Sequence, residues 1–134
     1  MIKHKVFETT IQGKNHNELL AKFKSHALLQ SAILTRNTYK LQLKISSSPI
    51  LIVNTDIQLI ERKMMTEISV FADMTKPLLI AIIVGLLAAT VSYLVNFSYA
   101  TSVYTLVLSP FVFFMLRNQV KKEVQKTIVR IINS

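Results

Sequence analysis

The chain has 134 residues, 51% of them hydrophobic, a net charge of +9 and no cysteine. The missing cysteines exclude a disulfide framework and any thiolate zinc or iron–sulfur site, and with two glycines, Gly13 and Gly85, there is no glycine-rich phosphate loop. Charge is segregated: residues 77 to 116 contain no Asp, Glu, Lys or Arg, while both flanks are basic, a pattern of membrane proteins.

The first residues, Met1 to Glu8, lack the apolar run of a signal peptide, so the start is expected to belong to the mature protein. Residues 3 to 11 carry Val6, Phe7, Thr9, Thr10 and Ile11 and stop at Gly13, which reads as a strand closed by a turn. Asn15 and Glu18 have the spacing of a capping box. A helix of about fifteen residues is expected after them, with Leu19, Leu20, Phe23, Ala27 and Leu28 on one face and Lys22, Lys24 and Ser25 turned away.

From Tyr39 to Ile45 apolar and polar residues alternate strictly, the mark of a half-buried strand; Ala32 to Arg36 reads as an extension of it. Ser46 to Pro49 form a turn, and Ile50 to Val53 a short apolar strand pairing back. Residues 55 to 73 admit two readings, because Thr66 to Phe71 alone resembles a strand. The 3-4-4-3 spacing of Ile57, Ile60, Met64, Ile68 and Phe71, and the helix formers from Glu61 to Met65, favour a second amphipathic helix. The expected fold class is therefore α+β: a small cytosolic domain over residues 1–76 in the order β-α-β-β-α. Lys76 and Pro77 are expected to act as a hinge, since the residue before proline is pushed out of the α region.

Residues 77–116 are too long for one span and fit a transmembrane helical hairpin, with spans at about 77–95 and 99–116. The turn is expected near Asn96-Phe97-Ser98-Tyr99, with Tyr93, Phe97, Tyr99 and Tyr104 at the far interface. Eleven of the sixteen Lys and Arg residues precede the hairpin and five follow it. The positive-inside rule then predicts an integral, multi-pass protein with both termini cytoplasmic. Ala81, Gly85, Ala88, Ala89 and Ser92 lie at helical spacing on the first span, and Thr101, Thr105 and Ser109 on the second. Small residues let membrane helices approach and hydroxyls bond across the contact, so these stripes are read as packing the two spans together. The sharper reading is that one of them mediates oligomerisation or lines a weakly polar pore. Pro110 removes the hydrogen bond to the Leu106 carbonyl and is expected to kink the second span. With no intramembrane charge, the hairpin is a poor pump or secondary transporter.

Residues 117–134 read as a basic amphipathic tail: Val120, Val124, Ile128 and Ile131 make an apolar stripe. It either lies on the inner leaflet or packs under the sheet domain. Lys121, Lys122, Lys126 and Arg130 supply inside charge and are candidate contacts for anionic lipid. Nucleic-acid binding is the weakest option, since the charge divides as +5 (eleven minus six) before the hairpin and +4 (five minus one) after it, without a basic groove interleaved with aromatics.

His4, His16 and His26 lack the i, i+4 spacing of a helical metal site, and the seven carboxylates are scattered. No cofactor is expected. The expected function is non-enzymatic: an accessory, scaffold or adaptor subunit in the membrane, with lipid and either further copies of the chain or other membrane-protein subunits as partners. The alternative is an oligomeric membrane-perturbing or pore-forming effector gated by its cytosolic domain.

Overall fold

The computed structural model describes residues 1–13, 16–26, 29–35, 37–96 and 98–134, with the backbone alone at residue 96. Five strands, β1 (Lys3–Gln12), β2 (Leu29–Thr35), β3 (Thr38–Ser46), β4 (Ile52–Arg62) and β5 (Met65–Asp73), form one antiparallel sheet in the order β1-β5-β4-β3-β2. Helix α1 (His16–Lys24) connects the two edge strands. After β5 come α2 (Thr75–Asn96), α3 (Tyr99–Leu106) and α4 (Leu108–Asn133). The fold is thus α+β, with a sheet first and helices after it.

β1 and β3 follow from their composition as expected, and Gly13 takes a φ of +71°, the left-handed conformation that lets glycine end β1. β1 carries a bulge between Lys5 and Phe7 that turns Val6 into the core. Three expectations are corrected. Residues 55–73 are not a helix but the far part of β4, a turn and β5, with Arg62 paired to Met65. What wins is a period of two: Val53, Thr55, Ile57 and Leu59 point inward on β4, and Ile68, Val70 and Ala72 on β5. Residues from Leu29 to Thr35 do not extend β3; they form β2, which folds back on it with Thr35 opposite Thr38. Helix α1 has 9 residues and ends at Lys24, where Ser25 and His26 close turns onto Ala21 and Phe23. The expected capping residue Asn15, and Ala27 and Leu28 of its apolar face, lie outside the described residues.

Over β3, β4 and β5 one face of the sheet is buried. Leu41, Leu43 and Ile45 of β3 join the inward rows of β4 and β5, and Leu20 and Phe23 of α1 lie over them. The rest of the cover comes from the end of the chain: Val120, Val124, Ile128 and Ile131 of α4 are all within 1% of complete burial in this core. The tail therefore takes the second of its two expected placements, packed under the sheet, although it is not a separate helix. It is the second half of α4, and its stripe faces the sheet. Lys22 Nζ donates to the Ile132 carbonyl at 3.2 Å, joining the ends of α1 and α4. Along the opposite, polar face run ion pairs between Lys3 and Asp56 and between Arg62 and Glu67.

The expected break between sheet and hairpin also moves. Lys76 and Pro77 sit in the first turn of α2, where proline is tolerated because its N–H needs no intrahelical partner. Only Met74, fully buried, separates β5 from α2.

Candidate functional site at the hairpin seam and its base

Helices α2, α3 and α4 contain the uncharged block. Two helical stretches are long and apolar enough to cross a membrane: Thr75–Val95, with mean hydropathy 2.6, and Tyr99–Asn133, with 1.6 in its most apolar window. Of those windows 11% and 0% respectively is buried within the chain. Leu87 and Phe111, for example, are 62% and 63% exposed.

Helices α2 and α4 meet at small residues. Ala81 is buried, and its carbonyl accepts a 2.7 Å hydrogen bond from Ser109 Oγ on α4. One turn along α2, Gly85 is also buried, and a Cβ placed on it would lie 2.8 Å from Ser109 Cβ and Oγ. Real carbon atoms do not approach so closely, so glycine is what lets α2 and α4 cross here. Ala81, Gly85 and Ser109 are thus brought together. Ala88 and Ser92 are half-buried and line a shallow apolar groove of about 600 Å³ with Val84, Leu87, Val91 and Val95.

The rest of the hydroxyl stripe behaves differently. Thr101 Oγ1 donates to the Ser98 carbonyl at 2.9 Å and Thr105 Oγ1 to the Ser102 carbonyl at 2.8 Å, both inside or next to α3. Such bonds satisfy the hydroxyl within its own helix and leave no donor for a neighbour. The second apolar helix is interrupted at Val107, whose N–H bonds the Tyr104 carbonyl three residues back. The interruption lies one turn before Pro110, whose ring clashes with the Leu106 carbonyl and supplies no N–H to it. At the other end of α3, Ser98 is extended at the N-cap position, without a side-chain capping bond. The expected turn there falls partly on residue 97 and the side chain of residue 96, outside the described residues; Tyr93 and Tyr99 meet across it with ring centroids 5.1 Å apart.

The base of the hairpin is bonded to the sheet domain. Asp73 Oδ1 accepts from Thr75 N–H at 3.0 Å and from Thr75 Oγ1 at 2.6 Å. Thr75 Oγ1 in turn accepts from Ile2 N–H, and Met74 N–H donates to the Ile2 carbonyl. Burial opposes ionisation of the Asp73 carboxyl, but the two bonds from Thr75, with nearby positive charge, outweigh it and hold the group below the usual carboxylate range. Ile80, Phe113 and Leu116, the first apolar turns of α2 and the matching turn of α4, pack against the sheet core.

Lys121, Lys122, Lys126 and Arg130 are exposed on α4. Because α4 is continuous, each lies farther from Leu116 along one axis: about 8 and 9 Å for the first two, about 15 and 21 Å for the others, at 1.5 Å per residue. The histidines do not converge. His16 is buried against Tyr39, ring centroids 4.6 Å apart, and among the described residues neither of its ring nitrogens has a hydrogen-bond partner. It borders an open cleft of about 680 Å³ between Gln12, Gly13 and the β4–β5 turn. No signal in the sequence marked that cleft, since it is closed by the turn at Lys63 and Met64 inside the stretch read as a helix. Among the described residues no group of three or more His, Asp or Glu side chains is placed to hold a metal ion.

No protein-family model matches the chain, and no curated protein or solved structure matches it.

Proposed function

We propose that the protein is a non-enzymatic integral membrane protein that serves as an accessory, scaffold or adaptor subunit, its hairpin spanning the bilayer and both termini on the cytoplasmic side. The observation that carries this reading is the exposure of the apolar helices. A core helix of a water-soluble protein buries its apolar side chains, whereas here 11% of one apolar window and none of the other is buried within the chain. An apolar surface of this extent requires lipid or protein around it. The absence of Lys and Arg from residues 77–116 supports the orientation.

The subunit role rests on what the seam leaves over. Ala81, Gly85 and Ser109 are consumed by the internal crossing, while Ala88 and Ser92 line an unfilled groove, the kind of small-residue surface on which a second membrane helix packs. The pore reading gains nothing from Thr101 and Thr105, whose hydroxyls are spent on their own backbone. Purification from membranes in mild detergent is expected to give a defined complex with other proteins or a stable homo-oligomer. Recovery of a lone monomer without partners would overturn the subunit role.

A further inference from the structure

The loop between β3 and β4 holds an apolar side chain out from the sheet at the base of the hairpin. Ile50 is 86% exposed and Pro49 beside it is exposed, yet the loop around them is tightly bonded. Ser47 N–H donates to the Leu51 carbonyl at 3.0 Å, Leu51 N–H returns to Ser48, and Ser46 Oγ donates to the Ser48 carbonyl at 2.8 Å. Leu51 is buried in the core and fixes the loop from below. Gln119 Nε2 on α4 donates to the Ser47 carbonyl at 3.2 Å. That bond sets the height of the loop, because Gln119 lies three residues, about 4.5 Å of helix rise, past the last apolar residue Leu116. Across the domain, Ile2 is also exposed, bonded at the foot of α2. Lys76, Lys121, Lys122 and Lys44 are exposed around the same end.

We infer that the Ser46–Leu51 loop is an interfacial anchor that inserts Ile50 into the headgroup region of the bilayer, so that the sheet domain rests on the membrane and does not swing above it. This rests on the reading of residues 77–116 as membrane spans. The occupant of the surface is lipid: the loop tip lies at the level where α4 leaves its apolar segment, so the same bilayer that surrounds the hairpin reaches it. The basic side chains around it match anionic headgroups. A rigid loop gives up little conformational freedom on insertion.

The chain has no tryptophan, so single-tryptophan variants report their own surroundings. Ile50→Trp, Leu87→Trp and Met64→Trp would each be reconstituted, full length, into mixed phosphatidylcholine–phosphatidylglycerol vesicles. Quenching would be read with spin-labelled lipids carrying the nitroxide near the headgroup or deep in the acyl chain. Met64 sits at the opposite end of the sheet, in the exposed β4–β5 turn, and serves as the water reference. The expected result is blue-shifted emission from Ile50→Trp, quenched more by the shallow label, with Leu87→Trp quenched more by the deep one and Met64→Trp by neither. Water-like, unquenched emission from Ile50→Trp beside a deeply quenched Leu87→Trp overturns the anchor and leaves the spans standing. An unquenched Leu87→Trp with water-like emission overturns both.

Discussion

At the scale of single residues, the hairpin turns on the pair Gly85 and Ser109. Gly85→Ala introduces a carbon 2.8 Å from Ser109 Cβ and Oγ, so α2 and α4 must separate; a loss of about 1–3 kcal/mol is expected, the usual cost of overpacking. Denaturation in mixed detergent micelles measures it. In a Ser109→Gly background the same substitution should cost much less, because the two sites share one contact and their effects do not add. Ser109→Ala removes only the bond to the Ala81 carbonyl, worth about 0.6 kcal/mol for an average interhelical hydrogen bond in a membrane. Equal costs for Gly85→Ala in both backgrounds would contradict the contact.

Asp73 belongs to the same scale. Its carboxyl is held below its ordinary value in the folded protein, so the folded state prefers the ionised form. Its contribution to stability is present in full above the ordinary carboxylate range, about pH 4, and is lost as pH falls through the depressed folded value. Asp73→Asn is therefore expected to lower the unfolding midpoint of the protein at about pH 6 to 7, and the difference from the parent is expected to shrink as pH falls through the depressed folded value. A deficit that persists unchanged in acid would mean that Asp73 acts through something other than its charge.

At the scale of elements, α4 joins two environments. Its first half is apolar with no side chain fully buried, and its second half closes the sheet. Ile128→Ala empties a fully buried position over the sheet and is expected to cost about 2–5 kcal/mol, read by circular dichroism during unfolding. A change confined to lipid binding, with unfolding unaffected, would contradict this placement. The periodicity of Val120, Val124, Ile128 and Ile131 was plain in the sequence, but a stripe does not say what it faces; only the sheet beneath it decides that. The same limit applies to residues 55–73. Thr55, Thr66 and Ser69 occupy buried positions in β4 and β5, and such polar residues blur the alternation that marks a strand. Thr55 is accommodated by donating to the Leu43 carbonyl at 3.0 Å, a partner invisible in one dimension. The β4–β5 turn at Lys63 and Met64 also lacks glycine, proline, asparagine and aspartate, so nothing announced it. By contrast β1, β3 and the uncharged block carried their own signals. Ala81, Gly85 and Ser109 were legible as packing residues, while Ile50 was not, because exposure belongs to the fold.

At the scale of the whole molecule, sheet and hairpin are continuous. Met74 alone separates β5 from α2, Thr75 ties the junction to Ile2, and the first apolar turns, at Ile80, Phe113 and Leu116, pack on the sheet core. A displacement of the apolar helices would therefore bear directly on the sheet, as the proposed subunit role requires. The central claim is that residues 77–116 cross the bilayer twice and return. Because the chain has no cysteine, single-cysteine variants at Lys63, Tyr99 and Ser134 can be probed with a membrane-impermeant maleimide in sealed vesicles of known orientation. The account predicts that Lys63→Cys and Ser134→Cys label from the cytoplasmic face and Tyr99→Cys only from the opposite one; labelling of all three from a single face would contradict it.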